Sequence, residues 1–163
     1  MGEVVGGAEI TRGGAEHAFL WREGAMTDLG SLGRSGSTAN AINDRGEVVG
    51  QSAAPPQYTT DVAVLWVNGR IEDLGTLPGA HSGSALAIND AGQIVGTSAV
   101  GTRNHFHAVL WQAGRITDLG ALSERLDSLA RDINDRGEIL CVGEAPAGRR
   151  FFLLKPAEQK DPE

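Results

Sequence analysis

Apolar residues along this chain occur in short runs, and each run is closed by Gly, Asn, Asp or Pro. The stretch 85–120 contains four runs in succession: "ALAIN" (85–89), "GQIVGTS" (92–98), "HAVLW" (107–111) and "RITDLG" (115–120). Each run has the length and the β-branched or apolar content of a strand, and no good apolar period of 3.6 residues extends over 11 or more positions. The pattern predicts an all-β protein in which strands A, B, C and D follow one another.

The same series of runs returns with a period of about 45 residues. The phrase "AINDRGEVVG" at 41–50 becomes "AINDAGQIVG" at 87–96 and "DINDRGEILCVG" at 132–143. The "DLG" triplets that close strand D lie 45 residues apart. A stack of similar structural units produces such a repeat, whereas a single catalytic centre needs each of its residues once. The repeat therefore indicates architecture rather than activity.

Four short strands in about 45 residues are typical of one blade of a β-propeller. Strands B and C are apolar on successive residues, which indicates sheets covered on both faces, and strand A carries small residues that suit a crowded innermost position. We predict an all-β, β-propeller-type array of four-stranded antiparallel blades with about 3.5 repeats, and a β-solenoid-like stack is the alternative. The blades would form one domain (1–156) before a polar tail (157–163), and they would span 2–30, 38–75, 84–120 and 129–155.

The "INDRGE" phrase has the chemistry of a tight turn between strands A and B. Asn and Asp can hydrogen-bond the backbone of their own turn, and the Gly supplies a positive φ. A calcium loop is the alternative, but the alternating acidic ligands and the terminal Glu of such loops are missing. We therefore expect structural roles for Asn43, Asn89, Asn134, Gly46, Gly92 and Gly137.

Two combined motifs, "HAFLWREGAMTDLGSLG" and "AINDRGEVVGQS", resemble the HAF repeat of bacterial proteins that are described as probable extracellular repeat proteins. The resemblance covers nearly the whole chain, with the triplet at His17, Ala18 and Phe19. The later copies of the repeat replace this triplet with "VAV" at 62–64, "HAV" at 107–109 and "RFF" at 150–152. The resemblance implies a repeat fold and an extracellular or cell-envelope location. It implies no catalytic residue, because the family has no established activity.

Composition limits the classes of partner. The 14 basic and 21 acidic residues give a net charge of −7, which disfavours nucleic acid, whose binding requires positive charge. No window approaches the roughly 20 apolar residues of a membrane span, and the start "MGEVVGG" does not resemble a signal peptide. Cys141 is the only cysteine, so no disulfide can form within the chain. Proteins, glycans or small ligands are the expected partners.

No constellation for catalysis or for metal binding is evident. The chain lacks a G-x-S-x-G elbow, an H-E-x-x-H motif, paired cysteines and a phosphate-binding glycine loop. His17 and His107 hold equivalent repeat positions, but the other two copies carry Val62 and Arg150 there. A ring of metal ligands would therefore lose half its members. We assign no catalytic residue, no metal and no cofactor.

Other repeated positions are best explained by structure. Asp28, Asp73 and Asp118 of the "DLG" triplets are expected to accept backbone N–H groups beside the turn that follows strand D. A ring of carboxylates around a cation is less consistent, because strand D should be outermost. We interpret three tryptophans as packing between blades rather than as platforms for a sugar: Trp21, Trp66 and Trp111.

The copies differ most in the B–C and D–A connections, which lie on the same face of a propeller meander. Variable loops on a rigid scaffold often carry recognition, although ordinary divergence of surface loops is the simpler explanation. The candidate binding residues in these connections are Tyr58, His81, Arg103, His105 and Phe106.

Two functions remain open from the sequence. A non-enzymatic repeat scaffold, for binding a protein, a glycan or a small ligand or for assembly, fits the recurrent architecture and the missing catalytic motifs. The alternative is a propeller-type hydrolase or lyase that acts on an extracellular polymer, with a loop-face site of His81, Arg103 and His105. A cluster of these three side chains above a deep pocket would favour the enzyme.

The predicted strands begin with a strand B at 2–6 and end with a strand C at 150–154, which gives 14 strands in about three and a half periods. An open arc of this kind leaves apolar sheet faces and unpaired edges in water. We expect self-association into a homodimer that completes the propeller, or else a longer parent chain. A small ring of four blades with incomplete ends is the competing possibility.

Overall fold

A computed structural model of the chain describes residues 2–9, 14–33, 36–53, 60–100, 105–120, 127–145 and 148–156. All regular secondary structure in these ranges is β-strand. The prediction of an all-β protein is therefore confirmed.

The strands form four antiparallel sheets, and each sheet corresponds to one copy of the repeat. The first sheet contains β1 (Val4–Glu9), β2 (Glu16–Arg22) and β3 (Ala25–Gly30). The second contains β4 (Ser37–Ile42), β5 (Val48–Ala53), β6 (Asp61–Val67) and β7 (Arg70–Asp73). The third contains β8 (Gly83–Ile88), β9 (Ile94–Val100), β10 (His105–Gln112) and β11 (Arg115–Gly120). The fourth contains β12 (Ser128–Ile133), β13 (Ile139–Ala145) and β14 (Gly148–Leu154).

Every sheet is a meander, because strands that follow one another in the chain also pair with one another. The second and third sheets have the strand order A, B, C, D. Among the described residues the first sheet consists of strands B, C and D, and the fourth consists of strands A, B and C. The two end sheets are therefore three-stranded and differ from each other in which strand they lack.

The turn between strands A and B is closed by its asparagine. In the second sheet, Asn43 Oδ1 accepts the backbone N–H groups of Arg45 at 3.1 Å and Glu47 at 3.0 Å. The Gly46 N–H donates to the carbonyl oxygen of Asn43 at 2.9 Å, with a φ of 76° at Gly46. Only glycine adopts this φ without strain. The turns at Asn89 and Asn134 have the same backbone hydrogen bond.

The third sheet corrects one boundary of the sequence prediction. His105 and Phe106 were expected in the connection between strands B and C, but they begin strand β10. They pair with Val100 and Ala99 of β9, so the hairpin extends beyond the common repeat pattern. Cross-strand pairing with an apolar partner strand stabilises these residues as strand, and this pairing cannot be read from the residues of the connection itself.

Consecutive sheets pack face to face. The first strand of each later sheet lies against strands B and C of the preceding sheet: β4 against β1 and β2, β8 against β5 and β6, and β12 against β9 and β10. Between the second and third sheets, one apolar cluster contains Val49 and Ala63 on one side and Ile94, Val109 and Trp111 on the other. The two remaining interfaces contain clusters of the same kind. The core is therefore divided into three layers between four sheets.

Buried serines connect neighbouring sheets at the start of strand A. Ser37 Oγ accepts the N–H of Ala18 at 2.9 Å and donates to the carbonyl oxygen of Gly30 at 2.7 Å. Ser128 Oγ does the same with Ala108 at 2.9 Å and with Gly120. Each hydroxyl satisfies one donor and one acceptor of the preceding sheet, which are groups that would be costly to bury unpaired.

Candidate ligand-binding cleft

The antiparallel strands give the stack of sheets two rims. One rim carries the A–B and C–D turns, and the other carries the B–C and D–A connections. On the first rim, the side chain of Asn43 donates from Nδ2 to the carbonyl oxygen of Asn89 at 3.1 Å. Asn89 in turn donates to the carbonyl oxygen of Asn134 at 3.0 Å. We call these three residues the asparagine row.

A second series of hydrogen bonds runs beside the asparagine row. The backbone N–H of Asp44 donates to Oδ1 of Asp90 at 2.9 Å, and the N–H of Asp90 donates to Oδ1 of Asp135 at 3.0 Å. Each turn therefore binds the next turn through the same two positions. Since these polar groups are engaged with one another, the first rim serves to hold the sheets together.

The opposite rim contains a cleft of about 580 Å³ between the third and fourth sheets. A volume between roughly 300 and 1,000 Å³ is typical of small-molecule sites. The described residues that line this cleft come from five different strands and one connection, and we call it the arginine cleft: Thr97, Phe106, Asp127, Ser128, Leu129, Arg131, Val142, Gly143, Arg149 and Phe151.

The charged residues of the arginine cleft differ in whether they have hydrogen-bond partners among the described residues. Asp127 Oδ1 accepts the backbone N–H of Phe106 at 2.9 Å and lies 3.2 Å from Nδ1 of His105. Arg131 and Arg149 are exposed. Within the described ranges neither guanidinium has a hydrogen bond or an ion pair to another residue. An exposed guanidinium carries five N–H donors that can bind a ligand.

Two phenylalanine rings provide the apolar part of the cleft. Phe106 is half-buried at the start of β10, whereas Phe151 in β14 is 69% exposed. An aromatic ring exposed to this extent leaves a large apolar area in contact with water, and covering it is favourable. The cleft thus combines exposed cations with apolar surface that a ligand could cover.

The interface between the first and second sheets has a cleft in the equivalent place. Its volume is about 240 Å³, and the described residues that line it are Glu16, Gly36, Ser37, Thr38, Gln51, Ala53 and Asp61. Its two charged residues, Glu16 and Asp61, are acidic. The register of the sheets places Asp61 where the fourth sheet has Arg149, because Asp61 pairs with Ala53 and Arg149 pairs with Glu144. The repeat therefore presents the same recess with opposite charge.

Of the candidate binding residues from the sequence, the structure brings His105 and Phe106 to the arginine cleft. His81 precedes β8, and its carbonyl oxygen accepts a hydrogen bond from Thr60 at 2.7 Å. It is not among the described residues that line the arginine cleft. Tyr58 and Arg103 lie outside the described residues.

Sequence reasoning did not identify Arg131, Arg149 or Phe151. The signal that could have found Phe151 is the alignment of the copies, since strand C carries Ala18, Ala63 and Ala108 at the position of Phe151. Those three alanines are 0% exposed, whereas Phe151 is 69% exposed. The fourth sheet therefore has a large exposed ring at the position where each of the other three sheets has a buried alanine.

The repeated aspartates bind the turn that follows strand D. The Oδ1 atoms accept the N–H of the glycine two residues later, at 2.7 Å for Asp28, 2.8 Å for Asp73 and 2.7 Å for Asp118. Two of the carboxylates also lie beside a histidine of strand C, with His17 at 3.2 Å and His107 at 3.0 Å. The pair cannot form in the second sheet, which has Val62 instead.

The three tryptophans have different surroundings. Trp66 and Trp111 are each 4% exposed, whereas Trp21 is 37% exposed on the first sheet. Trp111 Nε1 donates to the carbonyl oxygen of Gly75 at 3.1 Å, while Trp66 Nε1 is buried without a described partner. The two buried indoles contribute to the packing between sheets.

Cys141 is buried in β13, and burial raises the pKa of its thiol to about 11. The thiol is therefore protonated near neutral pH, which makes it a poor nucleophile.

In the described part of the chain, no three His, Cys, Asp or Glu side chains form a group that could hold a metal ion. No helix there has the length and apolar character needed to cross a membrane. No protein-family model, curated protein or solved structure matches the chain.

Proposed function

We propose that this protein is a non-enzymatic repeat scaffold of the β-propeller type, which binds an anionic ligand with an apolar face in the arginine cleft. The observation that carries the proposal is a cleft of about 580 Å³ that is lined by two exposed arginines and two phenylalanine rings. Among the described residues, neither arginine has an ion pair. The resemblance to HAF repeats, with its implied extracellular or cell-envelope location, makes an acidic oligosaccharide the preferred ligand.

The propeller-type arrangement is supported by how the sheets meet. Strand A of each later sheet lies against the preceding sheet, as the innermost strand of a blade does. The asparagine row and the bonds beside it join equivalent turns along one rim, as turns next to a common axis would be joined. A β-solenoid-like stack is the alternative, and it shares the face-to-face packing. Small-angle X-ray scattering distinguishes a curved arc of sheets from a straight stack.

The charge of the cleft supports an anionic ligand. The chain carries a net charge of −7, so two exposed cations at one recess are a local departure from the character of the whole protein. A guanidinium binds a carboxylate through two parallel N–H···O bonds, which gives direction as well as strength. The flat apolar face of a sugar ring can cover Phe151 while its carboxylate reaches Arg131 or Arg149.

Isothermal titration calorimetry tests this proposal with uronate oligosaccharides and with neutral oligosaccharides of the same length. We expect binding of the uronate series only, weakened by added salt, and a loss of tenfold or more in Arg131→Gln and in Arg149→Gln, since tenfold corresponds to about 1.4 kcal/mol. Arg70→Gln is the matched control, because Arg70 is an exposed arginine at the opposite rim. Equal binding of neutral sugars, or an equal loss in Arg70→Gln, would overturn the proposal.

The enzymatic alternative has one observation in its favour. His105 and Asp127 form a pair 3.2 Å apart beside the arginines, and a polymer lyase needs a base next to cations that neutralise a carboxylate. Chromatography of the oligosaccharide after prolonged incubation separates the two functions. Recovery of the ligand at its original length supports the scaffold. Shortened products that disappear in His105→Ala would support the lyase or hydrolase.

A further inference from the structure

The large apolar side chains that are exposed on this molecule lie on the two end sheets. Within the described residues they fall into two groups of three. Val4, Trp21 and Met26 lie on the first sheet, and Leu140, Phe151 and Leu153 lie on the fourth. The second and third sheets contribute none within the same ranges. Exposed apolar surface of this kind, concentrated at two places, marks surfaces for interaction.

The exposed pair on the first sheet has buried equivalents in the inner sheets. Val4 pairs with Trp21 across strands β1 and β2. The same cross-strand pair is Val48 with Trp66 in the second sheet and Ile94 with Trp111 in the third. Val4 is 52% exposed and Trp21 37%, whereas the four inner residues are between 1% and 4% exposed. In the inner sheets this face is covered by the preceding sheet.

The exposed pair on the fourth sheet also has buried equivalents. Leu140 pairs with Leu153 across β13 and β14. The equivalent pairs are Val49 with Leu65 in the second sheet and Val95 with Leu110 in the third. Val49 and Val95 are fully buried, because this face is covered by the sheet that follows. The fourth sheet presents the same face without a described cover.

The interface between the second and third sheets shows how these two faces fit. The Val49 and Leu65 face of the second sheet meets the Ile94 and Trp111 face of the third sheet in one apolar cluster. Leu140 with Leu153 repeats the first half of this interface, and Val4 with Trp21 repeats the second half. One chain therefore carries both halves of a fourth interface at its opposite ends.

We propose that a second copy of this chain docks head to tail, with the fourth sheet of one protomer covering the first sheet of its partner. The occupant is a second copy because this chain presents both complementary faces and an internal template for their contact. Contacts of this kind, between two different faces, close into a ring or continue as a filament. Burial of these side chains from water supplies the driving force.

Light scattering coupled to size-exclusion chromatography tests the junction with Val4→Asp on one face and Leu153→Asp on the other. Both side chains are exposed and absent from the arginine cleft, so the substitutions spare both the core and the proposed ligand site. We expect the wild-type mass to exceed 17.0 kDa and to rise with concentration. Each variant alone should be a monomer, with a circular dichroism spectrum like that of the wild type.

The decisive sample is the mixture of the two variants. The unaltered fourth sheet of Val4→Asp can still meet the unaltered first sheet of Leu153→Asp, so the mixture should form a dimer of limited size. Association through two identical faces would instead leave one variant dimeric by itself, and that result would overturn the head-to-tail arrangement. A wild-type protein that stays monomeric at every concentration would overturn the proposal altogether. Gln112→Asp, at an exposed position of the third sheet, is the control and should associate like the wild type.

Tryptophan fluorescence gives a second reading of the same junction. Trp66 and Trp111 are already buried in the protomer, so a blue shift of the emission on association reports the burial of Trp21. We expect the shift in the wild type and in the mixture of variants, and not in either variant alone. Association without any shift would place the contact away from the first sheet and would contradict the proposal.

Discussion

The two rims of the same four sheets have opposite characters. On one rim, Asn43, Asn89 and Asn134 recur in every described turn between strands A and B, and each of the first two donates to the next turn. On the other rim, the equivalent recesses hold Glu16 and Asp61 in one interface and arginines and phenylalanines in another. The same scaffold is therefore uniform where copies contact one another and variable where they face a recess.

The difference has a physical cause. A turn that donates to the following turn and accepts from the preceding one must carry the same donor and acceptor in every copy, or one of its partners is left unsatisfied. A side chain that lines a recess does not need to hydrogen-bond the equivalent residue of another sheet, so its identity can differ between copies. Similarity between copies therefore marks mutual contact, and divergence marks the positions at which recognition can develop.

The largest effect is expected from Asn89→Ala, in the middle of the asparagine row. Asn89 Nδ2 donates to Gln93 at 2.7 Å and to the carbonyl oxygen of Asn134 at 3.0 Å, and its Oδ1 accepts from the Gln93 N–H at 2.9 Å. Loss of the bond between sheets should lower the free energy of unfolding by about 1–3 kcal/mol beyond any loss within the turn. Urea denaturation measures this.

Asn134→Ala is the matched control for Asn89→Ala. Asn134 keeps the bonds within its own turn, to Glu138 at 2.7 Å and from the Glu138 N–H at 3.0 Å, but donates to no further turn in the described residues. It should therefore be the milder substitution. Equal losses in the two variants would show that the bond between sheets contributes nothing.

A second effect, of about 1–3 kcal/mol, is expected from Gly96→Ala in strand β9. An added Cβ at Gly96 would overlap the backbone carbonyl oxygen of Ser84 and lie 3.0 Å from Cα of Ala85. The fourth sheet has Cys141 at the same repeat position, so a side chain with a Cβ is already accommodated there. Thermal unfolding should show a clear loss for Gly96→Ala and a smaller one for Cys141→Ala. The reverse order would contradict the close approach of strands A and B as the cause.

A smaller, pH-dependent effect is expected from Glu47→Gln in the first described A–B turn. Burial raises the pKa of Glu47, but hydrogen bonds from Arg45 and Asn43 outweigh it and leave the pKa below its ordinary value of 4.5. A folded pKa below the unfolded one means that the carboxylate stabilises the fold above about pH 4.5 and ceases to do so as the pH falls through the folded pKa.

The stability difference between wild type and Glu47→Gln should therefore be present at pH 7 and shrink below pH 4.5, with a size of about 1 kcal/mol or less. The equivalent position in the next turn is already a glutamine, Gln93, which bonds Asn89 in the same way. The substitution thus keeps the turn chemistry and removes only the charge. A difference that does not change with pH would show that the ionised carboxylate has no role in stability.

The smallest effect on stability is expected in the arginine cleft. Arg131→Ala and Arg149→Ala remove side chains that have no partner in the described residues, so the free energy of unfolding should change by no more than about 0.5 kcal/mol. Differential scanning calorimetry measures this against Asn89→Ala. A large loss in either arginine variant would show that the cleft is part of the structural framework, and the contrast between the rims would fail.

Local patterns made much of the fold predictable. The all-β class followed from short apolar runs, and the turns followed from Asn, Asp and Gly at fixed offsets, because these depend on residues within a few positions of one another. The positions of His105 and Phe106 were wrong for the same reason. Their place in strand β10 depends on pairing with β9, and nothing in "NHF" by itself indicates it.

The arginine cleft is a product of tertiary structure. Its lining combines Phe106 of β10 with Arg131 of β12 and Arg149 of β14, which are far apart in the chain and share no motif. Their proximity depends on the face-to-face packing of the third and fourth sheets, which no local pattern in the sequence records.

By itself, the sequence of this protein determined the repeat period, the all-β class and the turn chemistry. Each of these depends on hydrogen bonds or on apolar runs that involve only a few neighbouring residues. Only the tertiary structure decided which sheet faces are covered and which residues meet in the arginine cleft. Trp21, Trp66 and Trp111 occupy the same place in the repeat, yet the first is 37% exposed and the others 4%. Burial depends on which sheet packs against each tryptophan, and the repeated pattern around the three tryptophans is the same.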